Sequence, residues 1–131
     1  MQFLHPKGWA PAKGFANGVA ATGRQIFVAG QVGWNAQQRF ESDHFGSQVE
    51  QALANIVAVL AEADAGPEHL VRLTWYITDK REYLARLPEV GGVYRRTIGR
   101  HFPAMSLVQV AALLEDRAKV EIEATAVVPP A

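Results

Sequence analysis

Apolar and polar residues alternate most regularly near the C-terminus of the chain. This alternation predicts two β-strands, over residues 102–113 and 118–128. Pro103 fixes its own φ and disfavours a helical conformation at Phe102, so any preceding helix should end there. Residues 114–117 are polar enough to turn in solvent. We therefore expect the two strands to pair antiparallel, as a closing hairpin.

The same alternation assigns each side chain of the two strands to a face. One face is almost wholly apolar and needs a cover: Ser106, Val108, Val110, Ala112, Val120, Ile122, Ala124, Ala126 and Val128. The other face carries Met105, Leu107, Gln109, Glu121, Glu123 and Thr125. We expect any chemistry to lie on this second face.

The N-terminal part of the chain is richer in turn residues. Residues 1–14 predict an irregular lead-in or a short edge strand. Residues 15–21 and 25–30 predict a hairpin that turns at residues 22–24. Gly30 and Gly33 then suggest a strand end where the backbone bends or another group approaches closely.

Helical spacing of apolar residues predicts a long helix over residues 45–64, with Asp43 as its N-cap and Gly66-Pro67 as a stop signal. Residues 70–78 are β-branched and aromatic and predict a strand, placed centrally. Asp79 can cap a weaker helical region over residues 80–100, which Pro88 and the pair Gly91-Gly92 interrupt. One helix or two short ones fit this region equally well.

These elements predict an α+β fold with helices on one face of a sheet. The second face, with Met105, Leu107, Phe15 or Trp75, would expose too much apolar surface for a monomer. We therefore expect a homo-oligomer.

Composition narrows the function classes. The 131 residues suit a single domain, residues 1–131, and 13 basic residues balance 13 acidic ones. That balance argues against nucleic acid or an anionic membrane as a partner. There is no cysteine, and the four histidines are too scattered for a metal site, so we expect neither a metal nor a cofactor. Without a signal sequence or a long apolar run, we expect a cytoplasmic protein.

The segments 102–110 and 119–124 resemble the RidA/YjgF family, also called the L-PSP endoribonuclease-like family. The resemblance extends to Gly18-Val19, to residues 29–32 and to one face of the first helix, over residues 50–56. It implies a chorismate-mutase-like fold, a mixed sheet with two helical segments on one face. It also implies a homotrimer whose sheets form a central barrel, with a small-molecule cleft at each subunit interface.

The resemblance further implies hydrolysis of reactive enamines and imines to a keto acid and ammonia. In such members an arginine of a Pro-Ala-Arg-Ser motif binds the substrate carboxylate through a bidentate pair. Met105 occupies that position here. The loss of such a partner costs a few kcal/mol, or on the order of 100-fold in binding. The resemblance places the substrate-binding positions at Phe15, Ala29, Gly30, Met105 and Leu107, where Phe15, Ala29 and Leu107 replace the usual tyrosine, serine and cysteine.

Glu121 matches the family glutamate associated with the hydrolytic water and is the candidate catalytic residue. Beside Met105 and Leu107, without an arginine, its carboxyl would be partly desolvated and suited to proton transfer. An ordinary exposed strand glutamate explains the same residue without any function. A cation from Arg24, Arg72, Arg96 or Arg100 could compensate for Met105, and their spacing does not show which.

Two readings remain open. One is a RidA-like deaminase with altered specificity, and the other is a non-catalytic member of the fold that binds an apolar metabolite or a protein. Ribonuclease activity rests on the family name alone.

Overall fold

Strands and helices follow one another in the order that the sequence predicts for most of the chain. The computed structural model describes all residues, Met1–Ala131. The strands are β1 (Gln2–Leu4), β2 (Gly18–Ala20), β3 (Arg24–Val32), β4 (Leu70–Ile77), β5 (Ala104–Gln109) and β6 (Val120–Val128). The helices are α1 (Phe45–Glu62), α2 (Lys80–Ala85) and α3 (Leu87–Thr97), with a single 3-10 turn at Pro67–His69.

The main sheet has four strands in the order β3-β6-β4-β5. β6 pairs antiparallel with β3 and with β4, whereas β4 and β5 are parallel. The sheet is thus mixed, and α1 packs on β3 and β6 and against α3. The predicted α+β class, with helices on a mixed sheet, is confirmed, and β4 is central as expected.

The predicted antiparallel pairing of the last two strands is wrong, because β4 lies between β5 and β6. The helices α2 and α3 carry the chain from the end of β4 back to its start, and such a crossover makes the next strand parallel. β4 buries Leu73, Trp75 and Ile77. A central position therefore stabilises the fold more through apolar burial when β4 occupies it than when the half-exposed β5 does. β5 is left as an edge strand of the sheet.

The predicted N-terminal hairpin is also wrong. β2 pairs with β1 in a separate two-stranded sheet, while β3 pairs only with β6. The lead-in therefore contains a short strand, which was one of the two predicted alternatives. Pairing with β1 gives β2 its backbone partners, so β2 and β3 need not fold onto each other.

Helix α1 confirms the periodicity prediction, but its N-cap is His44 and not Asp43. The Asp43 carboxylate instead lies 2.9 Å from the Arg117 guanidinium, in the loop between β5 and β6. Gln48 is the one buried polar side chain, and it ties α1 to the same loop. Its amide donates to the Ser42 and Arg117 carbonyls at 3.0 Å and accepts from the Lys119 N–H at 2.8 Å.

The second helical region forms two helices that meet at Arg86. Asp79 caps α2 as predicted, since its carboxylate accepts from the N–H groups of Arg81 and Glu82 at 2.9 and 3.3 Å. Pro88 lies in the first turn of α3, where a missing N–H costs nothing. The glycine pair lies inside α3, so the proline and not the glycines divides the region.

The register of the sheet corrects the predicted faces. Met105 and Leu107 lie beside Leu73 and Trp75 of β4, on the face that the helices cover. Glu121 lies beside Tyr76, on the uncovered face. The two residues that were expected to flank Glu121 are therefore on the opposite side of the sheet.

The uncovered face exposes large apolar side chains. Phe27 is 72% exposed and Val108 is 45% exposed. They lie on the two edge strands, β3 and β5, and no element of the chain covers either side chain. No helix in the structure combines the length and the apolar character that a membrane span requires.

Candidate functional site

The residues that the resemblance singled out fall into two groups, one on each face of the sheet. The first group surrounds a cavity of about 580 Å³ between the edge strand β5, the helices α2 and α3, and the N-terminal segment. This aromatic cavity is lined by Lys13, Gly14, Phe15, Trp75, Tyr83, Leu87, Val90, Gly91, Tyr94, Arg95, Phe102, Met105 and Leu107. Phe15, Met105 and Leu107 of the predicted site meet here.

The free edge of β5 positions Phe15. An isolated parallel bridge joins Ala16 to Ala104, and the Ala16 N–H donates to the Pro103 carbonyl at 3.0 Å. The N-terminal segment thus runs along β5 as a partial extra strand. Phe15 reaches the cavity wall because its neighbour Ala16 is held by the backbone of the strand edge.

Aromatic side chains form most of the remaining wall. The rings of Tyr94 and Phe102 are stacked, with centroids 5.3 Å apart and planes 11° from parallel. The Tyr94 hydroxyl donates to the His101 carbonyl at 2.7 Å, which fixes the stack. Burial raises the pKa of Tyr94 and of Tyr83, so both phenols are neutral at physiological pH.

Two cations line the cavity, and the sequence did not single out either of them. Lys13 and Arg95 belong to its wall, no acidic side chain does, and neither cation forms an ion pair within the chain. Arg95 lies one helical turn after Gly91, another wall residue, but only the packing of α3 shows that this side of the helix lines the cavity.

The four arginines that were proposed as substitutes for the missing anchor lie elsewhere. The Arg24 guanidinium donates to the Ala63 carbonyl at 2.7 Å, and Arg96 lies 3.2 Å from the Glu50 carboxylate. Arg72 and Arg100 do not line the cavity either. Arg95 is the arginine that does.

Trp75 adds an unused hydrogen-bond donor to the wall. Its side chain is 4% exposed, and its indole Nε1 has no hydrogen-bond partner. A buried donor without a partner costs about 1–3 kcal/mol relative to its hydrated state. Trp75 is the neighbour of Leu107 across the pair β4 and β5, so its indole ring contributes to the cavity wall while its Nε1 atom is buried behind the wall surface.

The second group lies on the uncovered sheet face and consists of Gly30, Tyr76, Glu121 and Glu123. We refer to it as the acidic cluster. The Tyr76 hydroxyl donates to the Glu123 carboxylate at 2.8 Å, and this hydrogen bond raises the pKa of Tyr76. The negative charges of Glu123 and Glu121 act in the same direction. Glu123 is thereby engaged, whereas Glu121 has no ion-pair partner within the chain.

Gly30 leaves space for the Glu121 carboxylate. A Cβ atom at Gly30 would lie 2.8 Å from the Cδ of Glu121, closer than real contacts allow. Gly33 makes room for a different neighbour, since a Cβ there would lie 2.6 Å from the Cα of Gln48 in α1. The close approach, one of the two alternatives predicted for these glycines, is confirmed, and each glycine faces a different partner. The predicted strand end at Gly30 is wrong, because β3 continues to Val32 with a shift of register between Val28 and Gln31.

Within one chain, the structure brings Phe15, Met105 and Leu107 together, and separately Gly30 with Glu121. Ala29 precedes Gly30 in β3, where its carbonyl accepts from the Gln31 side chain at 3.1 Å. The sheet separates the two groups. No three histidine, aspartate or glutamate side chains are placed to hold a metal ion.

Known proteins resemble this chain over nearly its whole length. The endoribonuclease L-PSP family model matches residues 7–128. The RutC family protein slr0709 of Synechocystis is 34% identical over 127 residues, 92% of this chain and 90% of the relative. The 2-iminobutanoate/2-iminopropanoate deaminase of Escherichia coli K12 is 31% identical over 108 residues, 80% of each chain. Among solved structures, YyfB from Yersinia pestis, a protein of unknown function of the conserved Rid family, matches with a TM-score of 0.86 at 32% identity, over 97% of this chain and 98% of that one.

Proposed function

This chain belongs to the endoribonuclease L-PSP family, which includes the RidA/YjgF proteins, and on that basis we propose that it is a RidA-like deaminase of altered specificity. The reaction converts an imine and water to a carbonyl compound and ammonia. Water adds to the C=N carbon while Glu121 accepts one of its protons and passes it to the imine nitrogen, which gives a carbinolamine. The carbinolamine hydroxyl then loses its proton to the nitrogen through the same carboxylate, and the carbon–nitrogen bond breaks to release ammonia and the carbonyl compound. The similarity to the 2-iminobutanoate/2-iminopropanoate deaminase of E. coli supports this reaction class.

The observation that carries the proposal is the fit between Gly30 and Glu121. The carboxylate lies where a side chain at Gly30 would be, and no cation within the chain neutralises it. A free carboxylate beside exposed backbone is suited to hold and deprotonate a water molecule. Glu123, two residues along the same strand, is instead engaged by Tyr76.

The complete site would form between copies of the chain. Residues 1–131 would act as one domain, in a homotrimer whose sheets form a central barrel with a cleft at each interface. The acidic cluster of one copy would then face the aromatic cavity of its neighbour. The exposed Phe27 and Val108 on the uncovered sheet face support such a contact.

The test is ammonia release from a 2-imino acid generated freshly by an amino acid oxidase. Glu121→Gln keeps the size of the side chain and removes its basic group, so we expect a loss of at least about 100-fold in rate. Glu123→Gln is the matched control and should stay within a few-fold of wild type. Equal losses in both variants would contradict a specific role for Glu121.

A second candidate function is ligand binding without catalysis. Nine of the thirteen cavity residues are hydrophobic, and Met105 replaces the carboxylate-binding arginine of the family. If the wild type never exceeds the spontaneous rate of imine hydrolysis, whereas a ligand binds in the cavity, this second function is correct.

A further inference from the structure

We propose that the aromatic cavity takes a ligand with both an aromatic ring and a carboxylate, and that Arg95 and Lys13 bind the carboxylate in place of the missing arginine at position 105. As an assignment of substrate class, aryl-substituted imino acids, this inference rests on the proposed function. As an assignment of ligand chemistry, it can be tested without turnover.

The size and the wall of the cavity favour a ring. Its volume of about 580 Å³ is within the range of about 300–1,000 Å³ that is usual for small-molecule sites. The stacked pair of Tyr94 and Phe102 and the indole of Trp75 offer aromatic faces and edges, which prefer another ring as a neighbour. A small aliphatic imino acid would leave most of this apolar surface without contacts.

The charges at the cavity favour an anion on that ring. Lys13 and Arg95 contribute two positive charges to the wall, and no acidic residue in the wall balances them. The Nη1 atom of Arg95 would lie 3.8 Å from a Cβ at Gly91, so the guanidinium lies close to a wall position that has no side chain of its own. The planar guanidinium can accept a carboxylate through two parallel hydrogen bonds.

Arg96 provides a built-in contrast to Arg95. It is the next residue of the same helix and carries the same charge, but it lies 3.2 Å from the Glu50 carboxylate and does not line the cavity. A ligand that is attracted by the general charge of α3 would respond to both arginines. A ligand in the cavity would respond to Arg95 alone.

The indole N–H of Trp75 supplies a local reporter of occupancy. The chain has three tryptophans, so the indole region of a nitrogen–proton correlation spectrum contains three signals, and Trp75→Phe identifies the one from Trp75. The Nε1 atom of Trp75 is buried without a partner in the cavity wall. The ring of Trp34 packs on Phe40, away from the cavity, and its signal is the internal control.

The experiment titrates the full-length protein with 3-phenylpropanoate, which has a ring and a carboxylate and cannot be turned over. Propanoate lacks the ring, and 3-phenylpropanamide lacks the charge. We expect 3-phenylpropanoate to shift the Trp75 signal to saturation while the Trp34 signal stays constant, and each control compound to bind at least about tenfold more weakly. Arg95→Gln should weaken binding about tenfold or more, and Arg96→Gln less than about twofold.

Three results would overturn the inference: no shift at millimolar 3-phenylpropanoate, equal affinity for propanoate, or equal losses in Arg95→Gln and Arg96→Gln. Failure of the proposed function looks different. Suppose that 3-phenylpropanoate binds as expected, but that neither small nor aryl-substituted imino acids release ammonia faster than they do in buffer. The inference about the ligand is then supported, and the proposed deaminase activity is wrong. If small imino acids are hydrolysed but 3-phenylpropanoate does not bind, only the aromatic substrate class is wrong.

Discussion

The two faces of the main sheet differ in almost every physical property that matters to a binding site. The aromatic cavity is apolar, is held by stacked rings and a tyrosine hydrogen bond, and carries unpaired positive charge. The acidic cluster is half-exposed and negatively charged, and it contains a glycine that leaves space beside a carboxylate. The first face is suited to recognise a ligand and the second to move a proton. Under the proposed function the two faces would meet between copies of the chain, so the binding chemistry of one could change while the proposed hydrolytic residue, Glu121, is kept on the other.

Substitution of Gly30 and of Gly33, the two glycines with close neighbours near the end of β3, should separate an effect on activity from an effect on stability. In Gly30→Ala the new methyl group meets only the end of the flexible Glu121 side chain, so stability should hardly change. The carboxylate must move, however, and we expect about a 100-fold loss of ammonia release, since displacements near 1 Å cost that much.

Gly33→Ala is the matched variant and should behave in the opposite way. Its methyl group meets the backbone of α1 at Gln48, which cannot yield cheaply, so we expect the free energy of unfolding to fall by about 1–3 kcal/mol. Urea unfolding followed by circular dichroism measures this change. A Gly30→Ala protein as active as wild type would remove the argument for a precisely placed carboxylate.

Replacing Met105 should shift the preference of the cavity. Met105→Arg adds a third cation to the wall, which would bind the carboxylate of a small imino acid directly. We expect kcat/KM for small imino acids to rise about tenfold or more, and the preference for 3-phenylpropanoate over propanoate to shrink. Met105→Leu keeps the volume without the charge and is the control. If both substitutions have the same effect, the charge is not responsible.

Tyr94 and Tyr76, two of the three tyrosines with raised pKa values, lie on opposite faces and test whether the faces differ in solvation. Burial raises the pKa of Tyr94, whereas the hydrogen bond to Glu123 is the main cause of the raised pKa at the half-exposed Tyr76. A tyrosine whose pKa is higher in the folded state stabilises the fold fully below about pH 10, the value in the unfolded chain, and this contribution is lost as the pH rises above it.

We therefore expect the wild type to lose stability above about pH 10 more steeply than Tyr94→Phe does. At neutral pH, Tyr94→Phe should cost about 1 kcal/mol through the lost hydrogen bond to the His101 carbonyl. Titration of tyrosine absorbance in low and high salt adds a second readout. High salt should reduce the rise in the pKa of Tyr76, which the charges of Glu121 and Glu123 contribute to, and should leave the pKa of Tyr94 unchanged. An equal salt dependence of the two pKa values would mean that both sites are solvated alike.

The smallest expected effect concerns the backbone of α3. A Cβ at Gly92 would lie 3.5 Å from the Arg96 guanidinium, an ordinary contact, so Gly92→Ala should stabilise the protein by about 0.5–1 kcal/mol through helix propensity. Thermal unfolding measures the gain. Ligand binding in the cavity should not change, because Gly92 does not line it, and a change in affinity would show that α3 moves as a unit.

Local signals in the sequence determined the elements themselves. The helical period predicted α1, the Asp79 carboxylate predicted the start of α2, and the β-branched and aromatic run predicted β4. The close approaches at Gly30 and Gly33 were also predictable, because a glycine in a β-rich run is a local feature that marks a close neighbour. The family resemblance singled out Glu121 and Met105 through short motifs, and these need no tertiary information either.

Only the tertiary structure decided which strands are neighbours and which side chains share a face. Alternation relates side chains within one strand, but the faces of two strands are matched only by their pairing, and a shift of one residue reverses every side chain. With β4 between β5 and β6, Met105 and Glu121 lie on opposite faces of the sheet. For the same reason Arg95 and Lys13, far apart in sequence, meet at one cavity that no local pattern could have located.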